Sequence, residues 1–327
     1  MSSNKVLSEL LGYRKSIRVI DATLRDGGLV NDFYFEDEFV KKLYETNIHA
    51  GVDYMEMGYK ASKEIFDPDK FGKWKFCDDD DIFDVIGEKN PDLKLCVMAD
   101  VGRCDYKTDI RERANSPLDM IRVATYINTL PTALDMIEDA KRKGYEVSCN
   151  IMAISNAQES DVQVALDMLG NSPVDVLYIV DSYGALYPEQ IARIVDLYME
   201  TAERYNKKVG IHAHNNQQLA FANTIEAVGD GVDYLDATYF GMGRGAGNCN
   251  MENLLGFLRN PKYKIFPVIQ FIENCMTKLK EDGALWGYDL QYLMTGLLNQ
   301  HPRSAISFTK EQRTDYTEFY KELIFHD

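Results

Sequence analysis

The chain has 327 residues, 45% of them hydrophobic and 27% charged, which is enough apolar material for a large folded core. A formal net charge of −16 argues against a nucleic-acid partner, and means that an anionic substrate must be met by local cations or a metal. The opening "MSSNKVLSELLGYRKS" has no apolar signal core, no run approaches the roughly 20 apolar residues of a membrane span, and six cysteines without a CxxC pair read as reduced thiols, so a cytoplasmic protein with no membrane partner is expected.

Eight short apolar runs follow one another along the chain: "IRVID" (17–21), "VDYMEMG" (52–58), "LKLCVMAD" (93–100), "IRVATY" (121–126), "YEVSCNIMA" (145–153), "VDVLYIVD" (174–181), "KVGIHAH" (208–214) and "VDYLDATYF" (232–240). The stretches between them keep helical spacing. Phe39, Val40, Leu43 and Tyr44 form one apolar face, and Ile191, Ile194, Val195 and Tyr198 form another behind Pro188. Strands without clean alternation, separated by helices, indicate a parallel sheet covered on both faces. Eight such units predict an α/β fold, a (β/α)8 TIM barrel over residues 1–260; an open doubly wound sheet is the alternative. Residues 261–327 break the rhythm and read as a C-terminal helical extension packed on the barrel. "CDDDDIFD" (77–84) reads as a solvated helix start. The long segment after the second strand carries Lys60, Lys63, Lys70, Lys73 and Lys75. It is either a surface excursion or a loop that covers substrate and offers cations.

In a barrel the functional groups sit at the carboxyl ends of the strands. Polar residues gather there: "DATLRDGG" after strand one, Glu56 on strand two, Asp100 on three, Thr125 on four, Asp181 and Ser182 on six, Asp236 and Thr238 on eight. Glu56, Thr125 and Asp181 are taken as candidate substrate-binding residues. His212 and His214, in "HAHNN", lie two apart on strand seven and so share a face. They are either hydrogen-bonded strand-end histidines or two ligands of one cation, with a carboxylate from elsewhere as the third. Imidazole and carboxylate together suit Mn²⁺ or Mg²⁺, with Co²⁺ or Zn²⁺ also compatible. "GMGRGAGN" (241–248) follows the last strand and lacks the G-x-G-x-x-G spacing of a dinucleotide loop. It is a tight turn that lets backbone approach a ligand and offers Asn248 as an oxygen donor.

"DATLRDGG", "HAHNN" and "GMGRGAGN", in that order on those strands, resemble the DRE-TIM metallolyase (HMG-CoA lyase-like) superfamily. "IRVAT" and "DSYGAL" point to its 4-hydroxy-2-oxovalerate aldolase branch. The resemblance covers roughly residues 17–260. It implies that Asp26, His212 and His214 hold a divalent metal, with Asn248 a ligand or near neighbour, and that Arg25 stabilises an enolate oxygen. Asp21 supports the turn. Aldolase relatives often place a histidine base three residues after the metal aspartate; here that residue is Leu29. His301 and Tyr292 are the candidate substitutes, with Tyr288 a third; His49 and His326 read as surface residues.

The function implied is a metal-dependent aldolase or lyase acting next to a 2-oxo acid through a pyruvate-type enolate. The alternatives are a Claisen-type acyltransferase joining acetyl-CoA to a 2-oxo acid, and a catalytically lapsed barrel that serves as a binding subunit. A small 2-oxo acid is the expected substrate, with a homodimer and an aldehyde dehydrogenase as expected partners.

Overall fold

The computed structural model describes residues 11–325. Eight parallel strands close into a barrel in sequence order: β1 (Arg18–Asp21), β2 (Tyr54–Tyr59), β3 (Lys94–Asp100), β4 (Met120–Thr125), β5 (Glu146–Ile151), β6 (Val176–Asp181), β7 (Lys208–Ala213) and β8 (Tyr234–Ala237). Closure is made by β1 on β8, with Val19 opposite Leu235 and Ile20 opposite Asp236. Among the described residues, seven helices follow strands on the outside: α1 (Asp37–Ala50), α2 (Asp79–Ile86), α3 (Leu130–Arg142), α4 (Glu159–Gly170), α5 (Pro188–Tyr205), α6 (Ala220–Gly229) and α7 (Met251–Phe257). Pro188 is the first residue of α5, where its fixed φ and missing N–H do no harm, and Asn206 ends the helix in the left-handed conformation.

The regular alternation fails once. Residues 101–119, between β3 and β4, carry only the short turn Arg113–Asn115. That segment, "VGRCDYKTDIRERANSPLD", is mostly charged and polar and contains Gly102 and Pro117, so it has no apolar stripe to hold a helix on the sheet. The acidic run at 77–84 does open α2 with Asp80 exposed, but Asp79 within it is buried and paired with Lys60 (2.7 Å).

Alternation within each strand divides the core in two. Outward residues such as Ile121, Val123, Leu177 and Ile179 pack under the helices. Inward residues Ile20, Tyr54, Cys96, Met120, Val176, Tyr178, Val180 and Tyr234 fill the barrel. Above this apolar floor lies an ionic layer. Arg122, buried and stacked on the Tyr178 ring (4.5 Å to its centroid), pairs with Glu56 (2.9 Å) and Asp236 (2.6 Å).

The chain after the barrel runs in two stages. Helix α8 (Ile265–Phe271) packs on α1, with Phe271 against Phe39 and Tyr239, and passes through a wide π-helical turn into α9 (Thr277–Glu281). Then α10 (Leu290–Leu297), α11 (Arg303–Lys310) and α12 (Tyr316–Phe325) enclose a small core of Tyr292, Ala305, Phe308, Phe319 and Leu323 around Ala246. They sit over loops at the carboxyl ends of the strands: Asn299 bonds Ser155 O, and Asn216 bonds Tyr292 O. No helix among the described residues is long and apolar enough to cross a membrane.

Candidate metal centre

Directly after β1 the chain turns into one helical turn, Thr23–Gly27. Asp21 anchors it: one carboxylate oxygen accepts from the Thr23 N–H and hydroxyl, the other from Asn47 of α1 (2.7 Å). Burial pushes the Asp21 carboxyl up to about 6. The turn lifts Arg25 and Asp26 into the barrel mouth, both buried. On the far side β7 presents His212 and His214, and the glycine loop after β8 presents Asn248, which bridges His214.

These groups converge. Asp26 Oδ2 lies 3.8 Å from His212 Nε2 and 3.8 Å from His214 Nδ1. One ligand atom from each residue falls within 4.8 Å of the others. Two donors each about 2.1 Å from a common ion sit at most about 4.2 Å apart, so the two 3.8 Å separations admit a cation between Asp26 and each imidazole. The protonation states also fit. His212 Nδ1 is 2.9 Å from Asp236 Oδ2, so it carries the proton and leaves Nε2 as a lone-pair donor. Burial, reinforced by nearby Arg244, His212 and Arg25, drives the His214 pKa well below the imidazole range against the pull of Asp26, so that ring is neutral. For Asp26, burial alone would raise the pKa. The adjacent Arg25 guanidinium, with Arg244 beyond it, outweighs burial and holds the carboxyl well below the usual range. Asn248 donates through Nδ2 to Asp26 and to Met242 O, while its buried Oδ1 has no partner. An orphaned oxygen beside an anionic carboxylate and two imidazoles is the donor set of a divalent cation.

The glycines make this approach possible. A Cβ on Gly243 would lie 2.2 Å from Asn248 Nδ2 and 2.7 Å from Asp26 Oδ2. Gly247 holds φ +81°, and a side chain there would strike Gly241 O at 2.0 Å.

Arg25 is fixed by two acids: Nε donates to Glu56 Oε2 (2.9 Å) and Nη1 to Asp26 Oδ1 (2.9 Å), with Nη2 beside the His212 ring. Around the cluster is a small cavity, about 60 Å³, lined by Arg25, Asp26, His212 and His214 at one end and by Tyr59, Asn150, Ser182 and Arg244 elsewhere, with Leu29, Met98, Met152 and Val180 as its apolar walls.

Several residues expected at the site lie elsewhere. Glu56 is close: its Oε2 is engaged by Arg25 and Arg122, so it positions guanidinium groups, while its buried Oε1 has no partner. Asp181 follows inward-facing Val180 and therefore points outward. Its oxygens accept from the Ala185 and Leu186 N–H groups of the next loop, and burial pushes it up to about 7. Thr125, outward after Val123, bonds Tyr126 O and Thr129 (both 2.9 Å). Tyr292 packs in the extension's own core, with its hydroxyl on Thr309. His301 reaches the cavity only through Arg244, 3.3 Å from its Nη1. Tyr288 and His49 are exposed, and His326 lies outside the described residues. The lysines of the loop after β2 are engaged locally, Lys60 by Asp79, Lys63 by Asp78, Lys70 by Asp67, Lys73 by Asp37, and Lys75 sits among the rings of Phe33, Tyr59, Phe66 and Phe71. Sequence reasoning passed over Arg244, Asn150 and Tyr59. Asn150 was legible as a polar inward residue at the end of β5.

A closed parallel barrel with a carboxylate and two imidazoles in ligand geometry at its carboxyl-terminal mouth belongs to the class of metal-binding barrel enzymes. The HMGL-like family profile matches residues 16–271, and the chain belongs to that family. It is 30% identical over 244 residues to an oxaloacetate decarboxylase from Mycobacterium tuberculosis (strain ATCC 25618 / H37Rv), covering 74% of this chain and 69% of that protein. It is 28% identical over 268 residues to a 4-hydroxy-2-oxovalerate aldolase from Pelotomaculum thermopropionicum, covering 81% and 76%. The crystal structure of the N-terminal domain of a candidate aldolase from Bacteroides vulgatus superposes with a TM-score of 0.73 at 26% identity, over 90% of this chain and 96% of that one. The two named relatives are lyases, and this chain is an enzyme of the carbon–carbon lyase type.

Proposed function

We propose that the chain is a divalent-metal-dependent aldolase or lyase that breaks or makes the C3–C4 bond of a 2-oxo acid, one carbon removed from the 2-oxo group, through a pyruvate-type enolate. The observation that carries this reading is the buried Asp26–His212–His214 cluster with the Arg25 guanidinium bonded to its carboxylate. Mn²⁺ or Mg²⁺ is the preferred ion for a mixed imidazole and oxygen set, with Co²⁺ or Zn²⁺ acceptable, and Asn248 Oδ1 is available as a further ligand. A bound divalent cation supplies Lewis-acid polarisation of the 2-oxo and carboxylate oxygens.

The chain's own residues do the rest. Arg25, held by Glu56 and Asp26 in one orientation, is a preorganised charge for the enolate oxygen. Asp236 keeps His212 in the tautomer a ligand needs. Leu29, Met98, Met152 and Val180 give the cavity its apolar walls. Tyr59 lines the same cavity, and burial pushes its phenol above the usual range, so its hydroxyl serves as a proton donor to the enolate carbon and not as a base. His301 acts through Arg244, and Tyr292 supports the loop that carries it.

Residues 261–327 belong with the barrel in this reading, as an extension that covers the mouth. A cytoplasmic location, a homodimer and an aldehyde dehydrogenase that takes up the released aldehyde are part of the same proposal; exposed Phe266 and Ile269 on α8 are the surface a dimer would use. The test is proton exchange. With Mn²⁺ present, pyruvate methyl protons should exchange with D₂O, followed by NMR, and the absence of exchange for every 2-oxo acid tried would overturn the reading.

A second reading, decarboxylation of oxaloacetate, has one observation in its favour. Retro-aldol cleavage needs a base for the 4-hydroxyl proton, whereas decarboxylation of a 3-carboxy-2-oxo acid needs only enolate stabilisation. The residues lining the cavity hold no imidazole outside the metal cluster. Comparing turnover of oxaloacetate with that of 4-hydroxy-2-oxo acids separates the two.

A further inference from the structure

Arg244 is the cavity's second guanidinium, and unlike Arg25 it has no acid. It projects from the glycine loop after β8 between Gly243 and Gly245, the latter at φ +62°. Nη2 donates to the Ser182 carbonyl (2.9 Å), Nη1 lies 3.3 Å from His301 Nε2, and Nε is buried without an acceptor. Among the described residues no carboxylate forms an ion pair with it, in a chain where Arg25, Arg111, Arg122 and Arg313 all have one.

The contact with His301 does not balance the charge of Arg244. The Arg303 N–H is shared between the His301 carbonyl (2.8 Å) and His301 Nδ1 (3.1 Å). A neutral imidazole has only one acceptor nitrogen, so it can serve either the Arg303 N–H or the Arg244 Nη1–H. Burial, with Arg244 and Arg303 nearby, lowers the His301 pKa to about 4, which keeps the ring neutral. In either tautomer the guanidinium faces no negative charge there. A further donor, Asn150 Nδ2, is buried and unpartnered on the wall of the same cavity, while Asn150 Oδ1 is taken by the Ser148 hydroxyl. Unpaired buried donors oppose the binding of an apolar tail and reward an anion.

We propose that Arg244 and Asn150, with His301 behind Arg244, form an anion subsite that receives a second carboxylate of the substrate, so that the enzyme acts on dianionic 2-oxo acids. The inference rests on the 2-oxo acid reading above, in which the first carboxylate and the oxo group are held at the Asp26–His212–His214 end with Arg25. It also says where the second carboxylate lies. A carboxylate that leaves as CO₂ must hand its electrons to the neighbouring carbon, and a guanidinium bonded to it stabilises the starting anion and slows that step. The subsite therefore fits a substrate whose second carboxylate lies beyond the broken bond and stays with the aldehyde fragment, as in a 4-hydroxy-2-oxo diacid. In a chain of net charge −16 such a dianion needs a local cation, and Arg244 is the one lining the cavity without an acid partner of its own.

The experiment compares two acids of equal chain length, 2-oxoglutarate and 2-oxopentanoate, which differ in a terminal carboxylate against a methyl group. Each is titrated calorimetrically into the Mn²⁺-supplemented protein, with pyruvate as reference. The wild type should prefer 2-oxoglutarate by roughly tenfold or more, the value of a charge-assisted hydrogen bond. Arg244→Met should abolish the preference, weakening 2-oxoglutarate by roughly tenfold more than 2-oxopentanoate, and Arg244→Lys should retain part of it. Equal affinities in the wild type overturn the proposal without recourse to any variant. So does an equal loss for both acids in Arg244→Met, which would assign Arg244 to the carboxylate they share. If pyruvate binds and no preference exists, the subsite alone is wrong; if none of the three acids binds, the 2-oxo acid reading falls with it.

Discussion

Replacing Asp236 by asparagine tests whether His212 acts as an oriented metal ligand. Asp236 Oδ2 faces His212 Nδ1 (2.9 Å) and Arg122 Nη2 (2.6 Å), and Oδ1 accepts from the Tyr178 hydroxyl (3.0 Å). An amide of the same shape can place its oxygen where Oδ2 sits and turn its NH₂ to the Tyr178 oxygen. The geometry then survives and the negative charge is lost. Leaving a buried charge without its partner costs about 3–5 kcal/mol. Arg122 keeps Glu56 at 2.9 Å, so the loss should fall at the lower end, about 3 kcal/mol. His212 loses the anion that strengthens it as a donor, and changes of this kind lower metal affinity by about 10–100-fold. Calorimetric Mn²⁺ titration reads the second effect, and urea unfolding without metal reads the first. The two separate in a His212→Ala background. There Asp236→Asn should still cost stability but should have no further effect on Mn²⁺ affinity. Unchanged affinity in the single variant, or an equal further loss without the imidazole, would refute the reasoning.

Three further outcomes are expected. Gly243→Ala drives a methyl group against Asn248 and Asp26, so it should lose most of the thermal stabilisation by Mn²⁺, which for the wild type at a hundredfold excess over Kd is about 2.7 kcal/mol, read as a shift in Tm. The folded pKa of His214 lies below its unfolded value, so the unfolded chain takes up the proton first; the stability His214 contributes is present above about pH 6.5 and is lost as pH falls. The Tm difference between metal-free wild type and His214→Gln should therefore shrink between pH 8 and pH 5, and a flat difference would contradict the burial argument. Leu29 lines the cavity at 37% exposure, so Leu29→His should add a base and raise cleavage of 4-hydroxy-2-oxo acids on the order of tenfold, below the 10²–10⁴ of evolved acid–base groups, without raising oxaloacetate decarboxylation.

Much of the fold is visible in the chain because strands buried on both faces read as continuous apolar runs, and eight of them recur at helix-sized intervals. The missing helix between β3 and β4 was equally visible: "GRCDYKTDIRERANSPLD" has no apolar stripe, and only the rhythm of its neighbours suggests one. At the site, spacing carries information wherever residues share a strand. His212 and His214 fall on one face of β7 because side chains alternate with period two. The same parity separates Glu56, Arg122, Asn150 and Asp236, which point inward, from Asp21, Thr125 and Asp181, which point out into the loops and helices. Being polar at a strand end is therefore a weaker signal than being polar at an inward position there.

Parity does not reach residues delivered by loops and by the extension. Arg244 stands in a motif whose glycines draw attention to backbone, and its significance comes from what it lacks, a carboxylate paired with it, which only the folded arrangement reveals. His301 lies 57 residues further on and meets it because α10–α12 close over the β6–β8 loops, a contact with no local pattern to announce it. Arg25 and Arg122 face three acids inside the barrel, Glu56, Asp26 and Asp236, so the metal-free interior carries an excess negative charge that Arg244 offsets only from a distance, without pairing to any of the three. A divalent cation held by Asp26, His212 and His214 would turn that balance positive, and the guanidinium of Arg244 would then be a charge for the substrate to complete, so a chain that folds with such a residue lining its cavity is more readily understood as selecting an anion than as tolerating a defect.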